Sequence, residues 1–232
     1  MESSRLSSSR LDIFLKKPFS AILSLAVPIL LGMGIHTLYN LADMYFIGKL
    51  GGQEIAAVAF NMPIFFLILG LTMGLGSGVT ASVARYIGQK DKIKADRCAE
   101  HAIIIAFFIS IIFTSLGLIF GKSILIILGA KDFILKQAWD YLFYITLGLP
   151  FMVFSAFFRS VLAGEGDMKF PMIVAGLGTI LNIILDPIFI FDMKDYGGFG
   201  LNLGVKGAAL ATVVSQLFTF TIFVFMLFVK KY

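Results

Sequence analysis

The sequence predicts an all-α membrane protein, organised as a bundle of six transmembrane helices. Its 232 residues are 59% hydrophobic, with a mean hydropathy of +0.94, whereas soluble domains are about 45–50% apolar. Six apolar runs reach the ~20 residues that a helix needs to cross hydrocarbon. None of the runs alternates with the period of two that a membrane β-strand shows, so helices are the only spanning structure left.

The predicted elements begin with a basic, serine-rich cytoplasmic leader over residues 1–17. Residues 18–232 are predicted to form one six-helix transmembrane lobe. Its spans are expected at residues 19–47, 55–83, 98–120, 138–162, 170–191 and 207–229. The first run is too long for a signal peptide and lacks a small-residue cleavage pattern. The apolar stretch 123–130 is predicted to be a short interfacial or re-entrant segment on the outer side.

Proline and glycine are expected to shape these spans. Proline removes a backbone donor and favours a kink. Such kinks are predicted in spans one, two, four and five, at Pro28, Pro63, Pro150 and Pro187. Small residues four apart on span two form a ridge on which a neighbouring helix can pack closely. This predicted packing ridge consists of Gly70, Gly74 and Gly78.

The distribution of lysine and arginine predicts the orientation. Thirteen of these residues lie in the leader, the even-numbered connections and the tail, and six lie in the odd-numbered connections. Because basic residues favour the cytoplasmic side, both termini are expected in the cytoplasm of a multi-pass protein of the cell inner (plasma) membrane. Arg159 is expected to extend to the interface, and Asp140 and Glu165 to be ordinary loop or helix-end charges.

Composition excludes several classes of function. The net charge of +5 is spread between apolar runs and accompanies no nucleic-acid-binding module, so nucleic acid is not an expected partner. Cys98 is the single cysteine, and His36 and His101 are isolated, so neither a disulfide nor a metal cluster is predicted. No nucleophile with a base and no paired catalytic acids occur at useful spacing, so no enzyme is predicted.

Two acidic residues lie inside apolar runs, where a charge is unfavourable unless it faces a partner or a water-filled cavity. Asp43 is near the end of span one and Asp186 near the end of span five. Both spans run outwards, so both carboxyl groups are expected at nearly one depth in the outer leaflet. Two plainer interpretations stay open: Asp43 is solvated at the end of a shorter helix, or Asp186 is a structural acid satisfied by neighbouring helices.

Other oxygen-bearing groups reach the same depth. Asn182 shares a helix face with Asp186 at i, i+4 spacing, and Pro187 leaves the carbonyl of Ile183 without its helical partner. Such oxygen ligands suit a hard cation or a proton. The side chains predicted to form this cation or proton site are Asp43, Asn182, Asp186 and Thr212. The side chains predicted to line an adjacent cavity are Tyr39, Asn40 and Asn61.

Several motifs occur together in a characteristic order. They are Tyr39-Asn40-Leu41-Ala42-Asp43 with Gly48 and Gly51, Ala84-Arg85-Tyr86-Ile87-Gly88, the connection 159–171, Asn182 with Asp186-Pro187, and the segment 204–212. In this combination the chain resembles the multidrug and toxic compound extrusion (MATE) transporters over nearly its whole length. The resemblance implies export of cationic or amphipathic compounds in exchange for Na⁺ or H⁺, with no other cofactor.

The resemblance also carries a departure. MATE transporters have two six-helix lobes, and this chain ends after six predicted spans, matching the first lobe. Asp43, Asn182, Asp186 and Thr212 fall where that lobe carries its cation-coupling site. The chain is therefore expected to be a truncated or half-length transporter that needs a second lobe or a homodimer partner. The alternative is a flippase for a lipid-linked or polyisoprenoid substrate, which a lumen lined with Arg and Lys would favour.

Overall fold

A computed structural model describes residues 18–192 and 200–230 of the chain. The predicted leader, 1–17, lies outside the described residues. The described part contains α-helices and no strands. The helices are α1 (Pro18–Gly48), α2 (Gly52–Ala59), α3 (Met62–Gly88), α4 (Lys92–Ile127), α5 (Asp132–Gly164), α6 (Lys169–Ile190) and α7 (Val205–Lys230).

The helices are long and apolar enough for a membrane bundle. Within the described residues, five segments qualify as membrane spans by length and composition: Gly52–Gly88, Lys92–Ile127, Asp132–Gly164, Lys169–Ile190 and Val205–Leu227. The first helix, α1, has 31 residues and is therefore about 46 Å long, more than the ~30 Å of the hydrocarbon core. The predicted all-α membrane fold is confirmed.

The second predicted span is two helices rather than one kinked helix. The break lies between α2 and α3, at Phe60 and Asn61. The Asn61 Nδ2 donates to the carbonyl of Ala57 at 3.0 Å and to that of Ala138 in α5 at 3.2 Å. Pro63 lies in the first turn of α3, where its missing N–H is harmless. The interruption predicted for span two at this proline is therefore present, but as a break between two helices rather than as a kink within one.

The stretch 123–130 also differs from its prediction. It is not a separate interfacial or re-entrant segment, because α4 runs without interruption for 36 residues to Ile127. Lysine is a good helix former, so Lys122 does not end the helix. The chain turns only at Gly129, whose φ of 99° lies in the left-handed region that glycine tolerates.

The centre of the bundle is α5, which packs against α3, α4 and α7. On its α3 side the backbones approach closely, because Gly76 faces Ser160 and Gly164 lies against Val83. The hydroxyl of Thr80 donates to the Ser160 carbonyl at 2.8 Å. We call this contact, made by these five residues, the α3–α5 crossing.

The glycine ridge predicted on span two does not form this crossing. A Cβ added at Gly70, Gly74 or Gly78 would meet no atom of the described chain within 4 Å. Gly74 and Gly78 are two positions away from Gly76 and Gly70 is six positions away, and all three lie on the open side of α3. The prediction that the ridge packs against a neighbouring helix is wrong for the contacts within this chain.

The C-terminal end of α6 is held to the start of α7 by backbone hydrogen bonds. The N–H groups of Leu201, Leu203 and Gly204 donate to the carbonyls of Ile188, Phe189 and Ile190 at 2.8, 3.0 and 3.1 Å respectively. These carbonyls lie in the last turn of a helix, where they lack helical partners. The segment 201–204 thus fixes how α7 begins against α6.

One charge predicted to be an ordinary loop or helix-end charge has a specific partner. Asp140, in the N-terminal half of α5, accepts from the Nζ of Lys206 at 3.3 Å. Both side chains are partly exposed, so the pair adds little stability. It joins the N-terminal half of α5 to the first turn of α7.

Candidate functional site

The predicted cation-site residues come together where α1 and α7 pack against α6. Asn182 and Asp186 are both fully buried in α6. The Nδ2 of Asn182 donates to Oδ1 of Asp186 at 3.3 Å. The two side chains therefore share a helix face, as their i, i+4 spacing predicts.

Asp43 enters the same region from α1. It is only 7% exposed and interacts electrostatically with Asp186. The interpretation of Asp43 as a solvated residue at a helix end is therefore wrong. Two carboxyl groups from different helices share one poorly hydrated region, in which like charges repel more strongly than in water.

Tyr39 and Thr212 connect α1 with α7 beside the two acids. The hydroxyl of Tyr39 donates to Oγ1 of Thr212 at 2.8 Å. Tyr39 precedes Asp43 by four residues and interacts electrostatically with both Asp43 and Asp186. Thr212 of α7 is thus linked to the two acids through the hydrogen bond that it accepts from Tyr39 of α1.

Tyr141 of α5 also belongs to this group, although the sequence did not single it out. It is buried and interacts electrostatically with Asp43, Asp186 and Tyr39. The only sequence signal is a phenol in a span rich in phenylalanine and tyrosine, where an aromatic side chain is expected as core. Its charged neighbour Asp140 is the more conspicuous residue in the sequence and is typical of a loop or helix end.

Three buried oxygens in this region lack a hydrogen-bond partner among the described residues: Oδ1 of Asp43, Oδ1 of Asn182 and Oδ2 of Asp186. We call these three side chains the acceptor cluster. All three atoms are acceptors, and buried polar atoms without partners are rare because burial without a partner is unfavourable. Two lysines of the described chain form salt bridges, Lys94 with Asp91 and Lys206 with Asp140, and neither pair includes an acid of the cluster.

The donor set favours a hard cation or a proton. Carboxylate, amide and hydroxyl oxygens are typical ligands of hard cations. Within the ranges 18–192 and 200–230 there is no group of three or more His, Cys, Asp or Glu side chains placed to hold a metal ion. The cluster therefore combines two acids with neutral oxygens.

The other predicted residues lie at different positions. Asn40 is on the exposed side of α1, and Asn61 is fully buried in the joint between α2 and α3. Their roles in lining a cavity remain predictions. Pro187 lies inside α6 directly after Asp186, as its place in the sequence requires.

These features define a class of protein: a multi-pass helical membrane protein with a buried, acceptor-rich site between three helices. The MatE family model matches residues 28–188. The chain belongs to this family, as its resemblance to the MATE transporters predicts.

Three known proteins illustrate the relationship. The chain is 30% identical to the FAD transporter of Shewanella oneidensis over 209 residues, which are 90% of this chain and 45% of the relative. It is 30% identical over 207 residues to the probable multidrug resistance protein YoeA of Bacillus subtilis, covering 88% of this chain and 43% of the relative.

A solved structure gives the same result for the fold. A MOP superfamily transporter from Pyrococcus furiosus superposes with a TM-score of 0.87 at 36% identity, over 95% of this chain and 47% of that one. The chain thus spans about half the length of the relatives and of the structure that it matches.

Proposed function

We propose that this chain is one six-helix lobe of a secondary active exporter, which exchanges Na⁺ or H⁺ for cationic or amphipathic compounds. The acceptor cluster is the observation that carries the proposal. It presents three unpartnered oxygens from two helices in a buried region, and a cation or a proton is what such a region lacks. The proposal is transport rather than an enzymatic reaction.

Coupling follows from competition at one site. A proton on a carboxyl group and a cation among the oxygens each relieve the repulsion between Asp43 and Asp186, so they compete. Asp43 and Tyr39 lie on α1, which contains Pro28, so occupancy of the site biases the position of α1 against α6 and α7. A substrate that prefers one position of α1 is then exchanged for the ion by thermodynamic linkage.

The two buried acids of the site, Asp43 and Asp186, support a cationic or amphipathic substrate. The buried charges of the site are acidic, and an anionic or lipid-phosphate substrate needs lysine or arginine in its path. Among the relatives, one is named for multidrug resistance and another for FAD, which is an anion. The flippase alternative has no comparable support, because the buried polar and charged residues of the described chain include no lysine or arginine.

A second lobe, or a second copy of this chain, completes the transporter in this proposal. The open glycine ridge of α3 and the exposed side of α1, with Thr37 and Asn40, are the surfaces that such a partner would cover. The chain is also about half as long as its relatives. If the chain pairs with itself, mass measurement in lipid or mild detergent will show dimers; monomers at high protein concentration would favour a separate second lobe.

We further propose that both termini are cytoplasmic. Cysteine labelling on a background without Cys98 tests this orientation. A cysteine at Lys92, the first residue of α4, should react only from the cytoplasm, and one at Lys131, between α4 and α5, only from outside. The reverse pattern would contradict the orientation without affecting the site.

The function itself is tested in proteoliposomes that contain the paired or whole transporter and a fluorescent lipophilic cation. An imposed Na⁺ or H⁺ gradient should drive accumulation of the dye. The substitutions Asp43→Asn and Asp186→Asn should each abolish the gradient-dependent part while leaving expression and folding intact. Dye flux that ignores both gradients, or that survives both substitutions, would refute the proposal.

A further inference from the structure

The contact between α6 and α7 has a fixed register that can be read from two close approaches. Near the outer end, Gly207 of α7 lies against the backbone of Phe189 and Ile190 in α6. Deeper in the membrane, Gly178 of α6 lies against the side chain of Thr219. A Cβ added at Gly178 would be 3.8 Å from the carbonyl oxygen of Ser215. The two helices are antiparallel. Residues between these contacts therefore pair in a predictable way.

This register places Ser215 level with the acceptor cluster. Asn182 is four residues after Gly178, and Ser215 is four residues before Thr219, so these two positions face each other across the seam. Cα–Cβ bonds in a helix tilt towards its N-terminus, which for α7 is the outer end, where Thr212 lies. The Ser215 side chain is thus directed towards the cluster rather than away from it.

The hydroxyl of Ser215 is one of two buried serine hydroxyls without a hydrogen-bond partner among the described residues. Most hydroxyls in a helix interior bond to a carbonyl one turn back, as Thr72, Ser160 and Thr219 do with Ile68, Ala156 and Gln216. Ser215 is 3% exposed, and its Oγ has no partner in the described chain. The register of the two helices places this hydroxyl on the side of α7 that meets Asn182, whose Oδ1 is also without a partner among the described residues.

We propose that the Ser215 hydroxyl is a further ligand of the cation site, adding an oxygen from α7 to those that α1 and α6 supply. This inference rests on the proposed function. It predicts a difference between the two candidate ions. A Na⁺ ion needs several oxygens around it, whereas a proton is held by one carboxyl group, so the hydroxyl matters for Na⁺ and not for H⁺.

Ser155 of α5 provides a matched control. It is equally buried and its hydroxyl also has no partner among the described residues. The helices α5 and α7 run in the same direction, with Gly148 against Val213 and Phe158 against Phe223. Ser155 is therefore level with Phe220, five residues or about 7.5 Å deeper along α7 than Ser215, and lies away from the cluster.

The test is calorimetric titration of the purified 232-residue chain with NaCl, with choline chloride as the reference salt, together with proton uptake measured by acid titration. Ser215→Ala should bind Na⁺ about 10- to 100-fold more weakly, as expected for one lost interaction with a charged group, and should take up protons as the wild type does. Ser215→Cys, which keeps the volume but replaces oxygen with a soft sulfur, should behave similarly. Ser155→Ala should match the wild type.

The outcomes separate this inference from the proposed function. If Asp186→Asn abolishes Na⁺ binding while Ser215→Ala and Ser215→Cys bind as tightly as the wild type, Ser215 is not a ligand and the exporter proposal stands. Wild-type chain that takes up protons but binds no Na⁺ also overturns the Ser215 inference and leaves H⁺ as the coupling ion. If Asp186→Asn changes neither ion, the proposed function fails. Thermal unfolding of each variant confirms that it is folded.

Discussion

Two helix contacts in this lobe are similarly close but differ in their polar groups. In the α3–α5 crossing the hydroxyls of Thr80 and Ser160 both have acceptors, on Ser160 and Ala156. In the seam between α1, α6 and α7, the acceptor cluster leaves three buried oxygens without donors. A satisfied contact stabilises a bundle, whereas an unsatisfied one lowers stability and persists where a ligand completes it. The crossing is therefore a scaffold, and the seam has the character of a binding site.

The largest expected effect is at the joint that holds the seam in register. A Cβ at Gly207 would overlap the carbonyl of Phe189 and lie 2.9 Å from the N of Ile190, and backbone atoms in the last turn of a helix have little room to move. Gly207→Ala should therefore lower the free energy of unfolding by about 3 kcal/mol or more. Gly70→Ala, on the open ridge, is the control and should be nearly neutral. Thermal unfolding in one detergent compares them; equal melting temperatures would refute the register.

A smaller loss is expected in the scaffold. A Cβ at Gly164 would lie 2.7 Å from Cβ of Val83 and 2.8 Å from the carbonyl oxygen of Thr80, so Gly164→Ala should destabilise the bundle by about 1–3 kcal/mol. Because the crossing is not the binding site, Na⁺ affinity of the folded variant should be unchanged. A loss of Na⁺ binding free energy in Gly164→Ala as large as its loss of stability would contradict the assignment of the crossing as a scaffold.

The seam should respond in the opposite direction. Asp186→Asn removes a buried carboxyl group that has no cationic partner and that repels Asp43 when both are ionised, so the variant should be more stable than the wild type in buffer without Na⁺. A gain of about 1 kcal/mol corresponds to roughly 2–4 °C in a chain of this size. The wild type should gain stability when Na⁺ is added, and the variant should not. A variant that melts well below the wild type without Na⁺ would mean that Asp186 is a structural acid.

The smallest effect is expected outside the membrane. Asp91 caps α4 by accepting from the N–H of Lys94 at 3.1 Å, and its carboxylate pairs with the Nζ of Lys94 at 2.8 Å. The hydrogen bonds from Lys94 lower the pKa of Asp91 below its ordinary value. A lowered pKa gives stability above the unfolded-state pKa of about 4, and this stability is lost as the pH falls further. Asp91→Ala should therefore be slightly less stable at neutral pH and no different in strong acid, as measured by thermal unfolding at both pH values.

Sequence patterns predicted what depends on composition and local spacing. Hydrophobic run length is enough to predict that the spans are helical and roughly where they lie. The i, i+4 spacing is enough to predict that Asn182 and Asp186 share a face. Contacts between distant segments were not predictable. The break at Asn61 depends on a bond to Ala138, 77 positions away, and the openness of Gly70, Gly74 and Gly78 depends on which side of α3 meets α5.

The same limit explains which site residues were missed. Tyr141 and Ser215 carry no charge and have ordinary neighbours in sequence. Tyr141 comes near the two acids, and Ser215 lies level with them, only when the helices are packed in the folded bundle. The acids were found because a carboxyl group within an apolar run is unfavourable wherever the helices lie.

The most direct measurement of the central claim compares ion binding by the wild type and the double variant Asp43→Asn, Asp186→Asn. Protons bound from acidic to alkaline pH are counted by titration of the purified chain, once in NaCl and once in choline chloride. The wild type should bind more protons than the double variant, and any Na⁺ binding should reduce its proton uptake. Identical titration curves for the two proteins in both salts would contradict the account, because the acceptor cluster would then bind neither ion.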